Sequence, residues 1–245
     1  MKRPNFWRNW KKKTAFEEKA INATIKAKKK VIKAIPKNKL IAIYIKGSFA
    51  RRELRKNSDV DMVPIVAENK YESAVFAVNG PSIKPVMIVP LSLWEFKHNK
   101  LWTKGSYKPD LRAEPDLFLK KLCEYKLIYG APIDITKYPK RSDKQIIKDE
   151  IIKIRHGYVS AYKKGKTSFA SLIKELFWLV ELVQNVKDKK TTHSFKGIAQ
   201  SVNDKNHIIH EAYQMIINTD KNIKNRNQFL QQLEKYLAEL ENFSE

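Results

Sequence analysis

Apolar residues recur at helical steps near the start of the chain. Phe16, Ile21, Ile25, Ile32 and Ile35 are spaced three to five residues apart with lysines filling the other faces, which predicts a helix over 15–35. Pro36 and Asn38 break it. Residues 40–45 (LIAIYI) form a short β-rich run, predicted as a buried strand that ends in Lys46-Gly47-Ser48. The polar stretch 49–58 has helical composition at ARREL. Residues 59–66 (DVDMVPIV) predict a second strand, with Val60, Met62 and Pro64 on one face and Asp59, Asp61, Val63 and Ile65 on the other. Residues 84–91 (KPVMIVPL) predict a third strand, irregular at its ends or placed at an edge because of Pro85 and Pro90. An amphipathic helical pattern covers 114–127, and Gly130-Ala131-Pro132 stops it.

Beyond Lys140 the strand-like runs vanish. Helical patterns cover 143–163, 168–187, 195–218 and 225–242, the second being the most apolar. Helices of this number and length suggest an antiparallel bundle. The polar, proline-containing stretch 139–145 marks the boundary. The fold class is therefore α+β: an N-terminal domain over 1–140, a mixed β-sheet with helices, and an all-α helical bundle over 141–245.

Composition sharpens this outline. The chain has 245 residues, enough to bury a real core, and one cysteine, Cys123, which excludes an intramolecular disulfide and a thiolate metal cluster. Cys123 is expected to be a buried small apolar residue, and Met62 and Met87 to be core. The net charge is +23. Residues 1–56 hold 19 Lys and Arg against three Glu, whereas the remaining 189 residues hold 30 basic and 23 acidic side chains. Such a block suits a polyanion such as RNA, DNA or a nucleotide. A chain rich throughout in Lys, Ile and Asn also becomes basic by composition alone. No apolar run approaches the roughly 20 residues that cross a bilayer. The start, MKRPNFWRNWKKK, lacks the apolar stretch of a signal peptide. The expectation is a cytoplasmic protein without a membrane role, and a homo-oligomer stays open.

One constellation carries chemistry. A strand ends in Gly47-Ser48, and ten residues later Ser58-Asp59-Val60-Asp61 opens a second strand. Residues i and i+2 of a strand point the same way, so Asp59 and Asp61 are neighbouring carboxylates on one face. Two such carboxylates repel each other, and a divalent cation or a raised pKa resolves the repulsion. Mg²⁺ prefers one or two carboxylates together with phosphate oxygens and water. Gly47 lets a phosphate approach the backbone, and Ser48 adds a hydroxyl and an N–H. These parts describe a site for a metal-bound triphosphate.

The segment GSFARRELRKNSDVDMVPI resembles the signature of the DNA polymerase β superfamily of nucleotidyltransferases, in which Gly47, Ser48, Ala50, Arg51, Glu53, Ser58, Asp59 and Asp61 match. RAEPDLFLKKLCEYKLIYG is similar to stretches of the aminoglycoside-type members, which also carry a C-terminal helical bundle. The resemblance covers about residues 40–130. It implies Mg²⁺-dependent transfer of an NMP, most simply AMP from ATP, to a hydroxyl of a small molecule, a protein or an RNA end. Gly47 and Ser48 would hold the β,γ-phosphates, with Arg51 and Ser58 near them. Asp59 and Asp61 would be the catalytic pair and would bind two Mg²⁺ ions. RNA would engage the basic residues 1–56.

Two positions depart from the pattern. Arg52 stands where the family has Gly, which would stiffen the turn and add charge beside the phosphates. The third carboxylate expected on the next strand is replaced by Val86 or Met87, and Glu72 and Glu95 are out of register. Glu175 or Glu181 from the bundle is the remaining candidate base. An alternative reading follows: an RNA-binding or antitoxin-like regulatory module that keeps the fold with impaired chemistry. His156, His193, His207 and His210 read as ordinary surface histidines. Trp7 and Trp10, among basic residues, suit base stacking or, preferably, packing of the N-terminal segment onto the core.

Overall fold

The computed structural model describes residues 5–54, 58–102, 114–187, 193–218 and 225–244. Contacts divide the chain into two compact units, Met1–Lys140 and Arg141–Glu245. Among the described residues no helix is long and apolar enough to cross a membrane.

The first unit is a mixed sheet with helices. Helix α1 (Ala15–Ala34) starts at a capping box in which the Thr14 hydroxyl accepts the Glu17 N–H and Glu17 returns to the Thr14 N–H. Strand β1 (Leu40–Lys46) runs into the single turn α2 (Gly47–Ala50). Strand β2 (Val60–Val66), helix α3 (Glu72–Phe76), strands β3 (Val86–Ile88) and β4 (Leu91–Ser92), helices α4 (Leu93–His98) and α5 (Pro115–Lys120), and strand β5 (Lys126–Gly130) follow. The sheet order is β3-β2-β1-β5, and β4 also pairs with β2. β1 is antiparallel to β2 and to β5, while β3 and β4 run parallel to β2.

Each face of the sheet is covered. Ile43, Ile45, Val60, Met62 and Ile88 pack with α1 and the N-terminal segment. Ala42, Tyr44, Val63 and Ile65 pack with Phe96 of α4 and Phe118 and Leu119 of α5. α1 buries Ala20, Ile21, Ala23, Thr24, Ala27 and Val31, so of the apolar residues that the spacing singled out Ile21 is core, as is Ile35 just beyond the helix. Phe16 is 44% exposed, and Ile25 and Ile32 are half-buried. A helix with small residues on one side can lie close to a sheet, and here that closeness decides which face turns inward.

Three predicted elements change. The helix over 114–127 ends at Lys120, and Lys126–Gly130 is instead the edge strand β5, paired with β1 through Tyr44–Leu127 and Ile45–Lys126. Its end lies hard against β1: Gly130 has φ +79°, and a Cβ there would stand 1.9 Å from the Ile41 carbonyl oxygen. Bonds to a distant strand outweigh the local helical pattern. Cys123 lies in the turn between α5 and β5 and is exposed, not buried. The predicted third strand is two short strands, interrupted at Val89-Pro90.

The second unit is helical. Helix α6 (Asp143–Ile152) continues through a π-helical stretch, Lys153–Val159, into α7 (Ser160–Lys163). Helices α8 (Phe169–Val186), α9 (Phe195–Ser201), α10 (Ile208–Ile217) and α11 (Arg226–Ser244) follow. Leu172, Leu176, Phe177, Val180, Ile209, Phe229, Leu233 and Leu237 form its core. The single helix expected over 195–218 is split by the polar segment 203–206, after which the His207 side chain caps α10 by accepting the Ile209 N–H.

Candidate active site

The Gly47-Ser48 turn and the start of β2, which holds Asp61, meet at one end of the sheet. Lys46 pairs with Asp61 in the β1–β2 register, one residue before Gly47. Gly47 has φ +74°, and a Cβ built on it would lie 2.5 Å from Asp61 Oδ2. The Asp61 carboxylate therefore occupies the space that any other residue at position 47 would claim. Ser48 is half-buried in α2, and its carbonyl accepts the Glu53 N–H at 2.7 Å, which closes the turn. Ser58 is half-buried and Asp59 exposed at the entry to β2; Asp61 is half-exposed. Residues 55–57 of the intervening loop, like residues 1–4 of the basic block, lie outside the described residues.

The strand register identifies what flanks Asp61. In antiparallel and parallel pairs, residues directly opposite share a face. Asp61 is opposite Lys46 on β1 and opposite Met87 on β3. A row Met87–Asp61–Lys46 thus crosses three strands on one face. The residue in the expected place of the third carboxylate is Met87, since Val86 and Ile88 are buried on the other side. Met87 is 37% exposed and so is not core. Lys46 was not singled out by sequence, although its alternation with Ala42 and Tyr44 places it on this face. Among the described residues no group of three His, Cys, Asp or Glu side chains is arranged to hold a metal.

The other candidate residues have definite places. Arg51 follows α2, and its Nε donates to Glu53 Oε2 at 2.8 Å. That pair is partly exposed, so its contribution to stability is small. Arg52, in place of glycine, sits in the left-handed region at φ +61°. Its guanidinium does not add a lone charge beside the turn. It donates to Glu17 Oε1 and to the Lys11 carbonyl, both at 2.7 Å, and stacks over Trp10 at 5.2 Å. Phe6, Trp7 and Trp10 close around Phe49 of α2, with ring centroids 5.5–5.8 Å from it. Trp7 is 5% exposed, so the tryptophans pack as expected. The N-terminal segment is in this way fastened onto α2 and the residues that follow it.

Arg52 holds the Glu17 carboxyl below the usual carboxylate range through its hydrogen bond, helped by the Thr14 N–H. A carboxylate with a lowered folded pKa stabilises the fold fully above its ordinary pKa and loses that contribution as pH falls through the folded value. The fastening is therefore expected to persist at pH 5 and to release only under stronger acid. Removing it separates two effects. Arg52→Gly relieves the positive-φ strain but loses the contacts, whereas Arg52→Ala loses the contacts and keeps the strain. Arg52→Ala is expected to be less stable than Arg52→Gly by about 1–2 kcal/mol. Denaturant unfolding followed by tryptophan fluorescence measures the difference, and the reverse order would contradict this account of Arg52.

The acids considered as substitutes are engaged elsewhere. Glu95 belongs to the capping box of α4 and accepts the Trp102 N–H at 2.5 Å. Glu72 is buried at the first turn of α3. In the helical unit, Glu175 pairs with Lys153 at 3.2 Å, and Glu181 pairs with His193, which stacks on Trp178. Lys153 also meets Glu150 at 3.1 Å. Burial and the charge of Glu175 push the Tyr158 phenol up to about 12. His193 and His207 are half-buried and structurally engaged, not surface residues. His210 contacts the Asp204 carbonyl at 2.9 Å.

No family model matches the chain, and no curated protein matches it. Among solved structures it is similar to spectinomycin adenyltransferase AAD(9) from Enterococcus faecialis, crystallised with ATP and spectinomycin, at 15% identity over 90% of each chain, with a TM-score of 0.45. A likeness that slight carries no weight for the chemistry of this chain.

Proposed function

We propose that the chain is a nucleotidyltransferase that moves an NMP, with ATP the leading donor, to a hydroxyl on a small molecule or RNA. The observation that carries this reading is the seating of the Asp61 carboxylate against Gly47, which joins the phosphate turn and the acidic strand in one site. The donor set would suit a hard divalent cation: the Asp61 carboxylate lies against a glycine whose Cβ position it fills, and Asp59 stands two residues before it at the entry to β2. Asp59 and Asp61 would hold Mg²⁺, which when bound would neutralise phosphate charge and activate the attacking hydroxyl. Gly47 and Ser48 would receive the β,γ-phosphates, and Ser58 and Arg51 would flank them. Lys46, opposite Asp61, would offset negative charge as the triphosphate enters.

The test is incubation with α-labelled nucleoside triphosphates, Mg²⁺ and either RNA or hydroxyl-bearing small molecules. Pyrophosphate release together with a labelled acceptor is expected, with ATP preferred. Absence of release with all four triphosphates would overturn the reading. Met87 supports a second one, a regulatory module with impaired chemistry, because a thioether beside Asp61 supplies neither a base nor a hard ligand. That reading expects nucleotide binding without turnover.

A further inference from the structure

The solvent face of α1 carries a run of cations. Lys19, Asn22, Lys26, Lys29, Lys30 and Lys33 are all exposed. At the helical repeat they fall within an arc of about 100° and extend over about 21 Å. No acidic residue interrupts the arc. Glu17 is turned away towards Arg52, and Glu18 only borders the arc at its N-terminal end. The remaining lysine of the helix, Lys28, lies on another face and donates to the Ile128 carbonyl at 2.6 Å. Lys30 reaches the Ser82 hydroxyl at 2.7 Å. The helix thus places one lysine in packing and five in solvent.

A cavity of about 440 Å³ opens at the N-terminal end of this arc, lined by Trp7, Arg8, Lys13, Glu18, Ile21 and Asn22. Asn22 belongs to both the arc and the cavity. The lining combines the largely buried Trp7 indole, an apolar side chain, two cations, the Glu18 carboxylate and an amide that both donates and accepts. Most of the apolar side of α1 is buried against the sheet, with Phe16 exposed near its start.

We propose that this face binds single-stranded nucleic acid, with phosphates along the lysine arc and a base in the cavity beside Trp7. A row of flexible ammonium groups releases counterions from a phosphodiester chain without demanding a sequence. A partly apolar, partly polar cavity at its end suits a planar base, the usual companion of such a groove. The surface uses neither Asp59 nor Asp61, so it stands apart from the transfer reading.

The experiment is fluorescence anisotropy of the full chain with end-labelled 20-nucleotide single strands of RNA and of DNA over a salt series. Binding at 50 mM KCl is expected. The variant carrying Lys19→Gln, Lys26→Gln, Lys29→Gln and Lys33→Gln is expected to bind about 100-fold more weakly, with a salt slope reduced by about 0.7 for each lysine removed. Lys30 is retained because of its bond to Ser82. Inorganic polyphosphate is expected to compete poorly, because it has no base. The proposal is overturned by absence of binding, by equal binding of the variant, by equal competition from polyphosphate, by equal affinity for a 20-base-pair duplex measured alongside, or by equal lysine-dependent binding to phosphatidylserine vesicles. Should the variant not fold, photocrosslinking of 4-thiouridine RNA to the unaltered chain decides instead. Crosslinks within residues 5–34 support the surface, and crosslinks confined elsewhere overturn it. ATP binding measured on the same variant reads the transfer site separately.

Discussion

Replacing Asp59 and Asp61 together with asparagine is expected to lower nucleotide transfer by at least about 1,000-fold, on the order of 4 kcal/mol of transition-state stabilisation. The substitution keeps size and removes two charges, one in β2 and one at its entry. It leaves Lys46 and the backbone of Gly47-Ser48 to hold the triphosphate, so ATP binding weakens less than transfer does. Stability is expected to hold or rise slightly. Asp59 is exposed and Asp61 half-exposed, and neither sits in the apolar core. Two like charges two residues apart, with no ion between them, do not favour the folded chain. Pyrophosphate release and thermal unfolding on the same preparations check both halves. Transfer that persists in the double variant would move the active site elsewhere, whereas a collapse in stability would make these aspartates structural.

The site was legible where its logic is local. Gly47-Ser48 follows β1 directly, and Asp61 falls in β2 where the pattern put it, while Asp59 stands just before the strand. What was not legible depends on residues far apart in the chain. Lys46 and Met87 become neighbours of Asp61 only through the register of three strands, and sequence alone left Val86 and Met87 equivalent. Arg52 reads as a charge next to a phosphate loop until Glu17 and the Lys11 carbonyl, 35 and 41 residues away, are seen to receive it. The same reason lies behind the elements that changed. KLIYG is a strand because β1 offers it an edge, and its own pattern extends the preceding helix equally well. The face of α1 was legible in part: Ile21 and Ile35 are buried as their spacing suggests, but the rest of the buried face is made by alanines, Thr24 and Val31, while Phe16 is exposed and Ile25 and Ile32 half-buried. The break between α9 and α10 was readable in the polar residues 203–206, but apolar runs on both sides masked it.

Gly47→Ala is expected to reduce transfer by about 100-fold or more and to destabilise the first unit by about 1–2 kcal/mol. Two causes act at once. An L-residue at φ +74° carries the steric cost of the left-handed region, and its Cβ would stand 2.5 Å from Asp61 Oδ2. That distance is well inside van der Waals contact, and the movable partner is the carboxylate. Asp61 swings away, and the loss of activity follows from its displacement as well as from the blocked approach of a phosphate to the backbone. A double-mutant cycle separates the causes. With Asp61→Ala already present, the carboxylate clash is gone, and Gly47→Ala costs only the backbone strain. The stability loss from Gly47→Ala is therefore expected to be smaller in the Asp61→Ala background than in the unaltered chain. Ser48→Ala, one residue on, introduces neither cause and is expected to leave stability within about 0.5 kcal/mol. Denaturant unfolding of the four members of the cycle measures the coupling, and strict additivity would mean that Gly47 and Asp61 do not share the space the geometry gives them.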